Sequence, residues 1–282
     1  MNMQKLNLLL VTNGFEGTRP ALDYGIWLAE TMQAHLTLLG VAEPSDAHHP
    51  VKRLVEETVQ RIEAAGIPNQ VEMQTGHTEE TVSLFAKRGD YLVLLGPLGR
   101  PPLRRFVMGR SFRYFMAELG APILFVPTAR FPVHKILVCM GGLGYALGAA
   151  RMALHLAPAM HASLTFLHVI EPITLDYPLA QDVKTHWQNL LDTNTPQGRT
   201  LRQVLEESQP LGLPTAVKVR HGNIVPEILD EIKEENYDLI CMGSAYSAHG
   251  LRHLYLPNVT AEVAEASHCP ILTVRHSIEP MD

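Results

Sequence analysis

Apolar residues in the first half of the chain gather in short, dense runs separated by longer stretches of mixed character. The runs are Leu6–Val11, His35–Val41, the alternating Gln70–Gln74, Tyr91–Leu95 and Pro122–Val126. A run with almost no polar face suits a strand buried on both sides. The stretches between them keep a helical period. Ala21, Leu22, Ile26 and Leu28 share one side of a helix that Thr18 can cap and Pro20 can open. Leu54, Val55, Val59 and Ile62 line one face over Val51–Ala65. Thr78 is placed to cap a helix through Phe85, and another short helix follows Ser111.

The same order begins again at Lys135. Ile136–Cys139 matches Leu8–Val11, Ser163–Pro172 matches Leu36–Pro44, Val217–Gly222 matches Val71–Gly76, Asp238–Gly243 matches Asp90–Gly96, and Cys269–Val274 matches Ala121–Val126. The offset grows from about 130 to nearly 150 residues, which places an insertion of roughly 20 residues at 173–199. The insertion includes Trp187 and is open to three roles: a lid, a partner surface or a cover for the sheet. The pattern predicts two copies of one domain, residues 1–130 and 131–282. Strands that alternate with helices imply, in each copy, a doubly wound parallel sheet with helices on both faces. Ligands in such sheets sit beyond the carboxyl ends of the strands, where the strand order reverses. The loops to inspect are therefore Thr12–Gly17 and Gly96–Ser111.

The second of these loops carries candidate chemistry. The strand Tyr91–Leu95 runs into Gly96, Gly99 follows after two residues, and Gly109 after nine more. Without a Cβ, a phosphate can approach the backbone N–H groups of such a loop closely. Gly109 also opens a helix, whose free N–H groups carry the positive end of the dipole. Arg100, Arg104, Arg105 and Arg110 add charge that suits an anion.

Composition narrows the field. A chain of 282 residues with 46% hydrophobic and 18% charged residues can build two ordinary cores. A net charge of −6 argues against a nucleic-acid binder, and no apolar run is long enough to cross a bilayer. Cys139, Cys241 and Cys269 lie far apart in strand-like runs and read as buried thiols, in keeping with a reducing cytoplasm. The 14 histidines show no zinc spacing, and His168 reads as a hydrogen-bonded residue at a strand end. The run Gly141–Gly148 looks like a dinucleotide fingerprint, but its spacing is one residue too long. No nucleophile, base and oxyanion set can be named.

The order of elements, the strand end Asp238-Leu239-Ile240-Cys241-Met242-Gly243-Ser244, and the closing Cys269-Pro270-Ile271-Leu272-Thr273-Val274 resemble the universal stress protein family, twice over. The resemblance implies five-stranded parallel sheets, related by a pseudo-two-fold axis and pairing their last strands. It also implies a cytoplasmic, stress-responsive regulator and a homodimer of the tandem chain. Nucleotide-binding members use Gly-x2-Gly-x9-Gly followed by a hydroxyl residue, an aspartate after the first strand, and a backbone contact to adenine near the end of the second.

Carried over, Gly96, Gly99 and Gly109 fit. Arg110 stands in the hydroxyl position, with Ser111 one place later. Thr12 and Asn13 stand at the first strand end, and Val41 at the adenine contact. These eight residues are the implied site for ATP or AMP, with or without magnesium. Asn13 can hydrogen-bond a ribose but holds a cation less well than a carboxylate. The second copy has Met140 for the aspartate, Tyr246 for the second glycine, and Pro257-Asn258 for the final pair, which implies a degenerate and mainly structural half. The competing readings are a nucleotide-independent scaffold acting through protein contacts and an enzyme. The resemblance leaves a slow ATP hydrolysis open.

Overall fold

The computed structural model describes residues 6–43, 51–99, 111–141, 146–171, 187–244 and 259–275. The chain divides into two compact units between Phe131 and Pro132, with His268–Leu272 grouped with the first.

In the first unit, strands β1 (Asn7–Thr12), β2 (His35–Ala42), β3 (Asn69–Thr75), β4 (Leu92–Leu95) and β5 (Ile123–Phe125) lie in the order β3-β2-β1-β4-β5. β1 pairs in parallel with β2, through Leu8 opposite Leu36, and with β4, through Leu8 opposite Leu92. Its central position explains its composition: Leu8, Leu9, Leu10 and Val11 are each fully buried. Helices α1 (Arg19–Met32), α2 (Val51–Ala64), α3 (Thr78–Ala86) and α4 (Ser111–Glu118) alternate with the strands. α1 buries Ala21, Leu22, Ile26 and Leu28, the stripe its period predicts. β3 is the outer strand, and Val71 and Met73 on it stay exposed.

The second half of the chain repeats the plan with β6 (Lys135–Cys139), β7 (Ser163–Ile170), β8 (Thr215–His221), β9 (Leu239–Ser244) and β10 (Ile271–Arg275). β6 pairs in parallel with β7 and β9, β7 pairs with β8, and β10 neighbours β9. Its helices are α5 (Leu147–Met160), α6 (Pro196–Ser208), α7 (Ile224–Glu235) and α8 (Val259–Ala266). Within the insertion, residues 187–192 form a 3-10 turn and Leu190 is buried. Residues 173–186 of that segment lie outside the described residues. The strand order reverses between β1 and β4 in one unit and between β6 and β9 in the other. That opens a crevice at the carboxyl ends of each pair.

Two expected caps form differently. Thr18 occupies the N-cap of α1, but its side chain does not cap. Its hydroxyl donates instead to Phe15 O at 2.7 Å. Thr78 is the first residue of α3 and His77 is the N-cap. The backbone N–H of Thr78 donates to Glu43 Oε1 at 3.1 Å, and its hydroxyl donates to the same oxygen. A carboxylate from the end of β2 thus satisfies the helix start from a distance, a pairing that local spacing does not reveal.

Candidate functional site: two strand-end crevices

In the first unit a chain of hydrogen bonds shapes the turn after β1. The Thr18 hydroxyl spends its proton on Phe15 O, so the 2.7 Å contact between the Thr12 and Thr18 hydroxyls makes Thr12 the donor. Thr12 Oγ1 in turn accepts from the Gly14 N–H at 3.1 Å. Asn13 is buried, and both ends of its amide are engaged. Nδ2 donates to Leu98 O at 2.9 Å, and Oδ1 accepts from the Phe15 N–H at 3.3 Å. The β1 end is thereby tied to the glycine loop after β4. Val41 is fully buried near the end of β2. In the same turn, the hydrogen bond from Arg19 holds Glu16 below the usual carboxylate range.

The structure therefore brings Thr12, Asn13, Gly96 and Gly99 together at the reversal point. Local packing also demands both glycines. A Cβ on Gly96 would come 2.8 Å from Thr18 Cα, because the entry to α1 crosses the end of β4. Gly99 adopts φ +54°, and a Cβ there would overlap the Phe15 ring. What approaches Gly99 in this structure is an aromatic side chain, where the sequence suggests a phosphate. Gly109 and Arg110 lie outside the described residues, as do Arg100, Arg104 and Arg105. Ser111 begins α4. Phe15 was not among the expected residues, and no spacing rule points to it.

The second unit holds a cavity of about 170 Å³ at the carboxyl ends of β6, β7 and β9. Its walls include Cys139, Met140, Leu167, His168, Met242 and Thr260. His168 is 8% exposed, and its Nδ1 lies 2.6 Å from Met140 O. Burial pulls its pKa below the ordinary 6.5, against the opposing effect of the Met140 bond. Burial also pushes the Cys139 thiol up to about 12. The Thr260 hydroxyl donates to Gly243 O at 3.0 Å. The half whose sequence reads as degenerate thus carries an open crevice. Tyr246 and Pro257 of its glycine-poor loop lie outside the described residues. Among the described residues no His, Cys, Asp and Glu cluster could hold a metal, and no helix is long and apolar enough to cross a membrane.

Parallel strands, helices on both faces and a crevice at the strand reversal define a doubly wound α/β protein. Residues 132–275 match the universal stress protein family, and the chain belongs to that family. The matched segment is the half that departs furthest from the three-glycine pattern. The universal stress protein YxiE of Bacillus subtilis (strain 168) is 26% identical over 147 residues, half of this chain and 99% of its own length. Among solved structures, a universal stress protein from Archaeoglobus fulgidus DSM 4304 superposes with a TM-score of 0.70 at 18% identity, covering 98% of both chains. A functionally unknown protein from Pseudomonas aeruginosa PAO1 gives 0.71 at 15% identity, covering 97% of this chain and 93% of its own. At those identities the likeness is one of fold, and it extends over both halves.

Proposed function

We propose that this chain is a tandem universal stress protein, with domains 1–130 and 131–282, that binds ATP or AMP at the β1 and β4 ends of its first unit. Occupancy there would regulate a stress response in the cytoplasm, through a partner protein and as a homodimer of the chain. Binding, with no turnover, is the proposed output. The observation that carries this reading is the hydrogen bond from Asn13 to Leu98 O, which joins the strand-end turn to the glycine loop at the reversal point. The Gly96, Gly99, Gly109 spacing and the four nearby arginines supply the anion-binding character. With Asn13 where a carboxylate would assist a cation, the protein itself contributes less to holding any magnesium that accompanies the nucleotide.

A nucleotide-independent scaffold is the second reading, and Phe15 favours it. Its ring lies against Gly99 and has to move before a phosphate reaches that backbone. A thermal-shift titration with ATP and AMP, with and without magnesium, separates the two. Ligand at a hundredfold over its Kd stabilises a native state by about 2.7 kcal/mol. Phe15→Ala should bind more tightly than the parent if the ring only fills the site. No stabilisation in either protein leaves the scaffold. Conversion of ATP to ADP by the pure protein would replace the regulator with an enzyme.

A further inference from the structure

The polar side chains around the second-unit cavity share one property. A carbonyl oxygen can only accept, so the short contact with Met140 O means that His168 Nδ1 carries the proton. The neutral ring then offers Nε2 as an acceptor, and the depressed pKa keeps it neutral near pH 7. Thr260 spends its single proton on Gly243 O. Cys139 stays a neutral thiol, a weak donor at most. The remaining walls are largely apolar, with the thioethers of Met140 and Met242 among them, and no Lys or Arg occurs among the described lining residues. Thioethers make favourable contacts with the edges of aromatic rings. The volume of about 170 Å³ suits one small ring: an apolar cavity of about 150 Å³ accepts benzene.

We propose that this cavity binds an uncharged aromatic molecule carrying a single hydrogen-bond donor, of the indole or phenol class, with His168 Nε2 as the acceptor. The site favours a donor because the neutral ring of His168, a lining residue, keeps Nε2 as an acceptor. It selects against charge because its described walls supply no counter-ion. This is distinct from the nucleotide reading, which concerns the other unit and an anion.

The test uses the full chain and indole as the probe, with 1-methylindole as the control of similar shape that lacks the donor. Methionine methyl and histidine ring-nitrogen signals are followed by NMR. Indole should saturably shift the Met140 and Met242 methyls and His168 Nε2, and 1-methylindole should bind about tenfold more weakly. His168→Phe should abolish that preference while an apolar ring still enters. Equal affinity of the two probes for the wild-type chain would overturn the proposal, and that comparison requires no variant to fold. So would unmoved methionine methyls up to the solubility limit of indole, or competitive displacement of indole by ATP. Failure of ATP to bind the chain would leave all these signals as expected, so the two proposals fail separately.

Discussion

Asn13 and Leu98 stand 85 residues apart in sequence, yet the side-chain amide of one donates to the backbone carbonyl of the other at 2.9 Å. The bond is buried and holds two loops together at the strand reversal. Asn13→Ala should cost about 1–2 kcal/mol in urea unfolding, because a buried carbonyl loses its partner. Asn13→Asp should cost at least as much without magnesium, since it turns an amide donor into a second acceptor facing Leu98 O. Unchanged midpoints for both variants would show that the loops hold together without this bond.

Gly99 and Phe15 form a second coupled pair. Gly99→Ala introduces a Cβ both into the Phe15 ring and at a left-handed φ. The expected loss is about 2 kcal/mol, part from overlap and part from backbone strain. In a Phe15→Ala background the overlap vanishes and only the strain remains, so the two substitutions should be non-additive by about 1 kcal/mol. Strict additivity would mean that the ring does not sit against the glycine in solution.

Glu231 on α7 is 1% exposed and serves three donors. Lys218 Nζ and the Tyr237 hydroxyl both reach Oε1 at 2.8 Å, and Arg220 Nη1 reaches Oε2 at 3.0 Å. Burial by itself would raise this carboxyl, but the hydrogen bonds from Lys218, Tyr237 and Arg220 together hold it below 4.5. A depressed carboxyl contributes stability that is complete above its unfolded value and is lost as pH falls through its folded one. Glu231→Gln should therefore cost about 2–3 kcal/mol at pH 7 and flatten the acid limb of the stability curve. An acid limb as steep as the parent's would assign that pH dependence to other carboxylates.

His168 gives a pH dependence in a different window. Its folded value lies below the ordinary 6.5 because of burial. As pH falls through 6.5, the unfolded chain takes up the proton first, so stability present above that pH declines toward the folded value. His168→Gln should show a shallower decline below about pH 6.5 than the parent. The ring should titrate with a midpoint below 6.5, and its neutral form should carry the proton on Nδ1. A midpoint above 6.5, or an Nε2-protonated ring, would contradict the Met140 contact.

The strands, the helices and the repeat were legible in the sequence because each rests on local regularities. Burial on both faces of a central strand leaves a run such as Leu8–Val11, and a one-sided helix leaves a stripe such as Leu22, Ile26 and Leu28. The repeated order of elements then carries over to two like units. Boundaries agree to within a residue or two; the strand expected at Leu6–Val11 runs Asn7–Thr12. Buried cysteines and a hydrogen-bonded His168 were also readable from their places on strands.

What each polar group is committed to could not be read in the same way. Thr18 and Thr78 look like caps because capping is a local rule, but one hydroxyl is taken by Phe15 O and the other by Glu43. Glycines spaced for a phosphate loop turn out to be needed where α1 crosses β4 and where Phe15 lies on Gly99. The second-unit cavity joins the ends of three strands with residues of α7 and α8, which are distant from one another along the chain. Secondary structure follows from periodicity, which neighbouring residues encode. The choice of partner for a hydroxyl, an amide or an imidazole depends on which distant groups the sheet brings within three ångströms, and only the folded chain decides that.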